Sequence, residues 1–201
     1  MTYTYTSFST TGQDGLSDLQ HSLIDLEHAT ELQRDWSPHI VHGLLQTPAY
    51  ARAILSTCIA ILEVPDDTEE TVTKRLARQR VLDVPGKRFR FLLGEEALLR
   101  TVGSPAIMAE QIQVLLDTLT DREHVEIGIV PVAARFVSPA SGFILSDDRL
   151  CDVETATGQL TVTAAVDIAT AARHFDALAT VAAFGQDART ILERALATHI
   201  A

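Results

Sequence analysis

Basic side chains are scarce in this sequence: 16 Lys and Arg stand against 27 Asp and Glu, a formal net charge of −11. That balance repels the phosphate backbone and removes the counterion release that drives nucleic-acid binding, so no direct nucleic-acid partner is expected. Apolar runs are short as well. None approaches the roughly 20 residues of a membrane span, and Met1-Thr2-Tyr3-Thr4-Tyr5-Thr6 lacks the basic and apolar parts of a signal peptide. No membrane contact is expected, and the chain reads as cytoplasmic. Cysteine is limited to Cys58 and Cys151, neither in a Cys-x-x-Cys pair; reduced, buried thiols are the plain reading. Also missing are a Gly-x-Ser-x-Gly elbow, a Gly-x-x-x-x-Gly-Lys loop, a Gly-x-Gly-x-x-Gly turn and a His-Glu-x-x-His pair. Without them, hydrolase, nucleoside-triphosphatase and dinucleotide readings lose most of their weight. There is no internal repeat and no low-complexity tract.

What is present suits one buried core. The chain has 201 residues, 46% of them hydrophobic, and the expectation is a flexible lead over residues 1–16 followed by a single domain over 17–201. Leu19, Leu23, Leu26, Ala29 and Leu32 recur at helical spacing, predicting a helix from Ser17, as its cap, to Asp35. Thr47-Pro48 suits the start of a second helix, and Asp66 or Asp67 can cap a third that carries the basic cluster Lys74, Arg75, Arg78 and Arg80. Beyond Pro85-Gly86 the period changes to that of strands near 89–93, 125–130, 142–145, 150–154 and 159–163, with a helix from Pro105 to Leu119 between the first two. Helices over about 165–183 and 186–198 close the chain. The predicted class is α+β: an N-terminal helical part (about 17–84) packed on a small mixed β-sheet, with the α/β part (about 87–201) ending in two C-terminal helices.

The segment Val41-His42-Gly43-Leu44-Leu45-Gln46-Thr47-Pro48-Ala49-Tyr50 crowds a glycine, a proline and several polar side chains into one stretch, which a core helix does not need. Together with Arg75, Arg78-Gln79, Glu95 and Glu154, it resembles the effector domain that follows the DNA-binding part of actinobacterial Xre-type helix-turn-helix, antitoxin-like regulators. The likeness runs from about Asp25 to the C-terminus, and only a short polar lead precedes it, so the resemblance implies a free-standing effector-like domain. His42 departs from the family frame, where proline is usual; histidine adds a group that exchanges protons near neutral pH.

Two functions follow. The resemblance implies a regulatory, ligand-binding module that senses a small molecule or binds a protein partner such as a separate helix-turn-helix protein, with a homodimer also admissible. Its ligand-binding candidates are Trp36, His42, Gln46, Tyr50, Arg52, Arg78, Gln79 and Glu154, an aromatic wall beside convergent polar groups. The alternative is an acid-base enzyme, a cyclase, isomerase or lyase of a specialised pathway, with His42 as base, Tyr50 or Glu95 as acid, and Gln46 or Arg78 holding an oxyanion. Ordinary structural roles compete at each position: Gln46 satisfying backbone groups, Tyr50 packing, Arg52 pairing with a carboxylate. Arg78 and Glu95 are expected to meet as a clamp between the two parts. His21, Asp25 and His28 share one helix face but form too poor a cage for a metal, so neither metal nor cofactor is expected.

Overall fold

The computed structural model describes residues 2–12 and 15–200, the side chains of residues 18–22 excepted. Seven strands form one mixed sheet in the order β1-β7-β6-β5-β2-β3-β4. They are β1 (Tyr3–Ser7), β2 (Leu32–Ser37), β3 (Arg88–Gly94), β4 (Val125–Val130), β5 (Phe143–Ser146), β6 (Leu150–Glu154) and β7 (Gly158–Val162). Strands β2, β3 and β4 run parallel, and the remaining pairings are antiparallel. The helices are α1 (Phe8–Thr11), α2 (Ser17–Ala29), α3 (Pro48–Leu62), α4 (Thr68–Arg78), α5 (Glu96–Leu99), α6 (Pro105–Asp121), α7 (Ala165–Ala179) and α8 (Gly185–Ile200). The class is α+β, with helices on both faces of the sheet. None of the helices among the described residues is long and apolar enough to cross a membrane.

Side-chain alternation sorts the two faces. Phe89, Phe91 and Leu93 of β3 and Val125, Ile127 and Ile129 of β4 pack against Met108, Ile112 and Leu115 of α6 and Ile191 and Leu192 of α8. On the opposite face Trp36, Leu92, Phe143, Leu145 and Cys151 pack under Ile168, Phe175 and Leu178 of α7. Gly128 on β4 makes room for this layer, since a Cβ there would lie 2.5 Å from the Phe184 ring.

Two expectations are corrected. The helix predicted through Asp35 stops at Ala29, and residues 32–37 form the interior strand β2, where the antiparallel part of the sheet meets the parallel part. The last turn is closed from both sides: Thr30 donates from its N–H to the Glu27 carbonyl at 3.3 Å and from Oγ1 to the Leu26 carbonyl at 2.7 Å, and Lys87 Nζ, from outside the segment, donates to the carbonyls of Glu27, His28 and Thr30 at 2.9, 2.7 and 2.5 Å. The helix start is likewise supplied from afar, because the Ser17 N–H donates to Asp67 Oδ2 at 2.7 Å and no side chain caps α2 locally. The N-terminal lead is not loose throughout, since Tyr3–Ser7 pairs with β7. The start of α3 follows the sequence: Thr47 Oγ1 accepts from the Tyr50 N–H at 3.2 Å, with Pro48 in the first turn.

Candidate functional site

Strand register gathers polar side chains on one face of β2, β5 and β6. Asp35 pairs with Ile144, Ile144 with Asp152, and Asp152 with Thr161, so these residues share one face. Gln33, Asp35, Ser146 and Asp152 on that face are all buried. His42 meets this surface at Asp35, and Gln46, Arg75 and Arg78 surround the turn that carries it. The same face is apolar on β3 and β4, under α6 and α8.

His42 begins a single 3-10 turn, Gly43–Leu45, as its N-cap. Its Nδ1 accepts from the Leu44 N–H at 3.2 Å, Nε2 lies 3.5 Å from Asp35 Oδ2, and the ring sits 5.1 Å from that of Phe91. Burial, then Arg78 and Arg75, push the imidazole down to about 3, so it is neutral at physiological pH. Burial pushes Asp35 up to about 7, with the 2.6 Å hydrogen bond from Ser37 opposing the shift.

The turn is fixed from three sides. Gln46 Nε2 donates to the Val41 carbonyl at 2.7 Å, and its Oε1 accepts from Arg75 Nη1 at 2.7 Å. Gln79 Nε2 donates to the carbonyls of Gly43 and Gln46 at 3.0 and 2.8 Å. Gln111 of α6 accepts from the Thr47 N–H and donates to the Leu45 carbonyl, at 2.8 and 2.7 Å. Tyr50 is fully buried, its hydroxyl accepting from the Val41 N–H at 3.2 Å. Gly43 lies against Arg78, Nη2 of which is 3.0 Å from where a Cβ would stand.

Arg78 and Glu27 form a buried pair at 3.1 Å. Burial outweighs the pull of Arg78 and Lys87 and raises the Glu27 carboxyl to about 7. At the open end of the layer, Glu154 is exposed to solvent, yet surrounding protein raises its carboxyl while Arg75 draws it back. Burial lowers Arg75 to about 10, and Arg78 pushes the same way. Glu154 and Arg75 thus lie within electrostatic reach of one another at this end of the layer. Cys58 of α3 is within the same reach, its thiol pushed up by burial and then by Glu154.

The predicted residues divide accordingly. His42, Gln46, Gln79, Arg78 and Tyr50 come together around the 3-10 turn, and Glu154 joins them through Arg75. Trp36 does not: it follows Asp35 on β2, faces the α7 layer, and donates from Nε1 to the Ala140 carbonyl at 3.1 Å. Arg52 lies outside, exposed on α3 and paired with Glu69 of α4 at 2.5 and 2.8 Å. The expected Arg78–Glu95 clamp is absent, because Glu95 accepts from Arg194 of α8 at 2.5 Å and from the Val132 N–H at 2.9 Å. Asp25 and His28 are exposed, and the side chain of His21 lies outside the described residues. Sequence reasoning missed Asp35, Glu27, Lys87 and Asp152. Asp35 carried no signal while its segment looked helical, and Glu27 and Lys87 are recognisable only once α2 is seen to end between them.

Among solved structures, NucT from Helicobacter pylori is 8% identical and aligns over 91% of this chain and 98% of its own, with a TM-score of 0.50. TrmBL2, an archaeal chromatin protein described with a novel mode of DNA binding, is 9% identical over 92% of this chain and 54% of its own, with a TM-score of 0.45. The chain thus spans about half the length of TrmBL2. No curated protein matches it. The family model described as a domain of unknown function, DUF5753, matches residues 20–194, from within α2 to within α8, and the chain belongs to that family.

Proposed function

We propose that this protein is a regulatory ligand-binding module whose ligand is a small zwitterionic molecule, held between Arg75 of α4 and Glu154 at the end of β6. One observation carries the reading: Glu154 is solvent-exposed but desolvated and faces the electrostatic reach of Arg75, whose guanidinium Gln46 holds in place. Opposite charges within reach of one another suit a ligand bearing both an anionic and a cationic group. The resemblance to the effector domain of Xre-type, antitoxin-like regulators supports the regulatory setting. The net charge of −11 favours action on a small molecule or on a separate DNA-binding protein over direct contact with nucleic acid. Thermal-shift and calorimetric titration with the proteinogenic amino acids and short diamino and dicarboxylic acids tests it. Saturable binding by at least one zwitterion, lost in both Glu154→Gln and Arg75→Gln, is the expected outcome. No saturable binding across the panel, or binding that survives both changes, refutes it.

A further inference from the structure

The two edges of the sheet are treated differently. At β4 the outer edge is bridged at one point, Ile129 and Ala183 exchanging N–H···O=C hydrogen bonds at 2.9 and 2.7 Å. At β1 nothing among the described residues pairs with the outer side. The ladder to β7 uses the even residues: the Thr163 N–H donates to the Thr2 carbonyl at 2.8 Å, and the Phe8 N–H donates to the Thr157 carbonyl at 3.0 Å. Antiparallel alternation then turns the main-chain N–H and C=O groups of Tyr3 and Tyr5 outward. Both rings stand on one face of the strand and are exposed, 66% and 51%. The devices that normally blunt an edge, an inward charge, a proline or a bulge, are missing from Thr-Tyr-Thr-Tyr-Thr.

We propose that β1 pairs antiparallel with β1 of a second copy of this chain, making one continuous sheet across a two-fold axis at Thr4. In that register Tyr3 and Tyr5 exchange main-chain hydrogen bonds with the second copy's Tyr5 and Tyr3, and the tyrosine rings become cross-strand neighbours. A register centred one residue later uses the Ser7 carbonyl, which already accepts from Thr11 Oγ1 at 3.0 Å. Charge selects the occupant. Residues 1–13 and 155–166, which supply β1, α1 and β7, hold no charged side chain in a chain of net charge −11. Two identical acidic molecules repel everywhere except through such a neutral patch, and a two-fold contact is self-complementary by construction.

Sedimentation equilibrium of the full chain at tens of micromolar tests this. The wild type sediments at twice its 21.9 kDa mass. Tyr5→Pro removes an outward N–H and leaves the β7 ladder intact, and Thr4→Lys sets two like charges beside the axis. Each shifts the protein to monomer, whereas Ile61→Lys, at an exposed position on α3, leaves the dimer. Should Tyr5→Pro fail to fold, Thr4→Lys and amide exchange carry the test: the Tyr3 and Tyr5 amides gain protection as concentration rises. A wild type that remains at 21.9 kDa, a dimer that persists in Thr4→Lys, or amides equally protected at all concentrations overturns the proposal.

Discussion

Replacing Lys87 by methionine tests how the fold terminates α2. Lys87 is 8% exposed, and its ammonium donates to three carbonyls, those of Glu27, His28 and Thr30, at 2.9, 2.7 and 2.5 Å. Methionine keeps the length and apolar stem of the side chain and removes only the donors and the charge. Hydrogen bonds to a charged group contribute about 1.5–3 kcal/mol each, and a cation at a helix C-terminus up to about 2 kcal/mol in partly buried geometry. These do not sum, because burying the ammonium carries its own desolvation cost, which methionine relieves. The Glu27 carbonyl keeps the Thr30 N–H, so the carbonyls of His28 and Thr30 are the ones that lose this donor, at about 1–3 kcal/mol each; with the relieved desolvation, the net loss is set at about 2–4 kcal/mol. For a chain of this length each kcal/mol moves Tm by about 2–4 °C, so the variant melts roughly 5–15 °C lower. Parallel thermal and urea unfolding give the measurement, with Lys87→Arg expected between the two. A Tm within about 2 °C of wild type, equivalent to less than about 1 kcal/mol, refutes the claim that Lys87 closes α2.

Two further outcomes follow from the buried charges. Glu27 sits between Arg78 and Lys87 with its carboxyl raised from 4.5 to about 7. The folded state therefore holds a proton that the unfolded state has released across that window, and stability falls as pH rises through it. Glu27→Gln, which cannot ionise, should flatten the decline between pH 5 and pH 8 by on the order of 1–3 kcal/mol; an unchanged slope means that the decline arises elsewhere. The second outcome concerns Glu95, which pairs with Arg194 rather than Arg78. A double-mutant cycle should show Glu95 and Arg194 coupled by about 0.5–1 kcal/mol, because the arginine is largely exposed. Glu95 and Arg78 should be additive within about 0.5 kcal/mol, and the reverse ranking would contradict the pairing.

Elements driven by local chemistry were legible in the sequence. Strands β4 and β6 lie at their expected positions because Val125-Glu126-Ile127-Gly128-Ile129-Val130 and Leu150 to Glu154 lie between breakers, and α3 starts where Thr47-Pro48 supplies its cap and first turn. Elements stabilised by distant partners were not. Strand β2 reads Leu-Gln-Arg-Asp-Trp-Ser, with neither an apolar run nor clean alternation, yet it is an interior strand because β3 and β5 flank it, Arg34 meets Asp147 and Asp148 of the β5–β6 turn, and Asp35 meets Ser37 and His42. The same cause explains the mixed outcome at the site. Gln46 and Gln79 were recognisable because they serve the turn in which they lie, whereas the partners of Arg78 and Glu95 depended on where α2 and α8 packed. A charge match between two residues identifies a capacity to pair, and the fold decides which of several candidate partners is within reach.

The chemistry open to His42 is limited by the same packing. A general base needs a lone pair facing its substrate. Nδ1 already accepts from the Leu44 N–H at 3.2 Å, and with that tautomer Nε2 carries the proton and faces Asp35 at 3.5 Å, so no lone pair is left for a ligand. Burial first, then Arg78 and Arg75, disfavour the imidazolium and push its value down to about 3, and protonating Nδ1 would also break the bond to Leu44. The histidine therefore serves as the N-cap of the 3-10 turn. The proline usual in the resembling family is compatible with the same backbone, since φ at this position is −58°. Asparagine is a good N-cap and offers an oxygen in place of Nδ1, so His42→Asn should keep stability within about 1 kcal/mol and keep ligand affinity at Glu154 and Arg75. Long-range proton–nitrogen NMR of the imidazole gives the direct reading. The ring should show one protonated and one bare nitrogen, unchanged from pH 5 to pH 8, whereas titration near the unperturbed value of about 6.5 would mean that the ring is reachable by solvent and free to exchange a proton with a substrate.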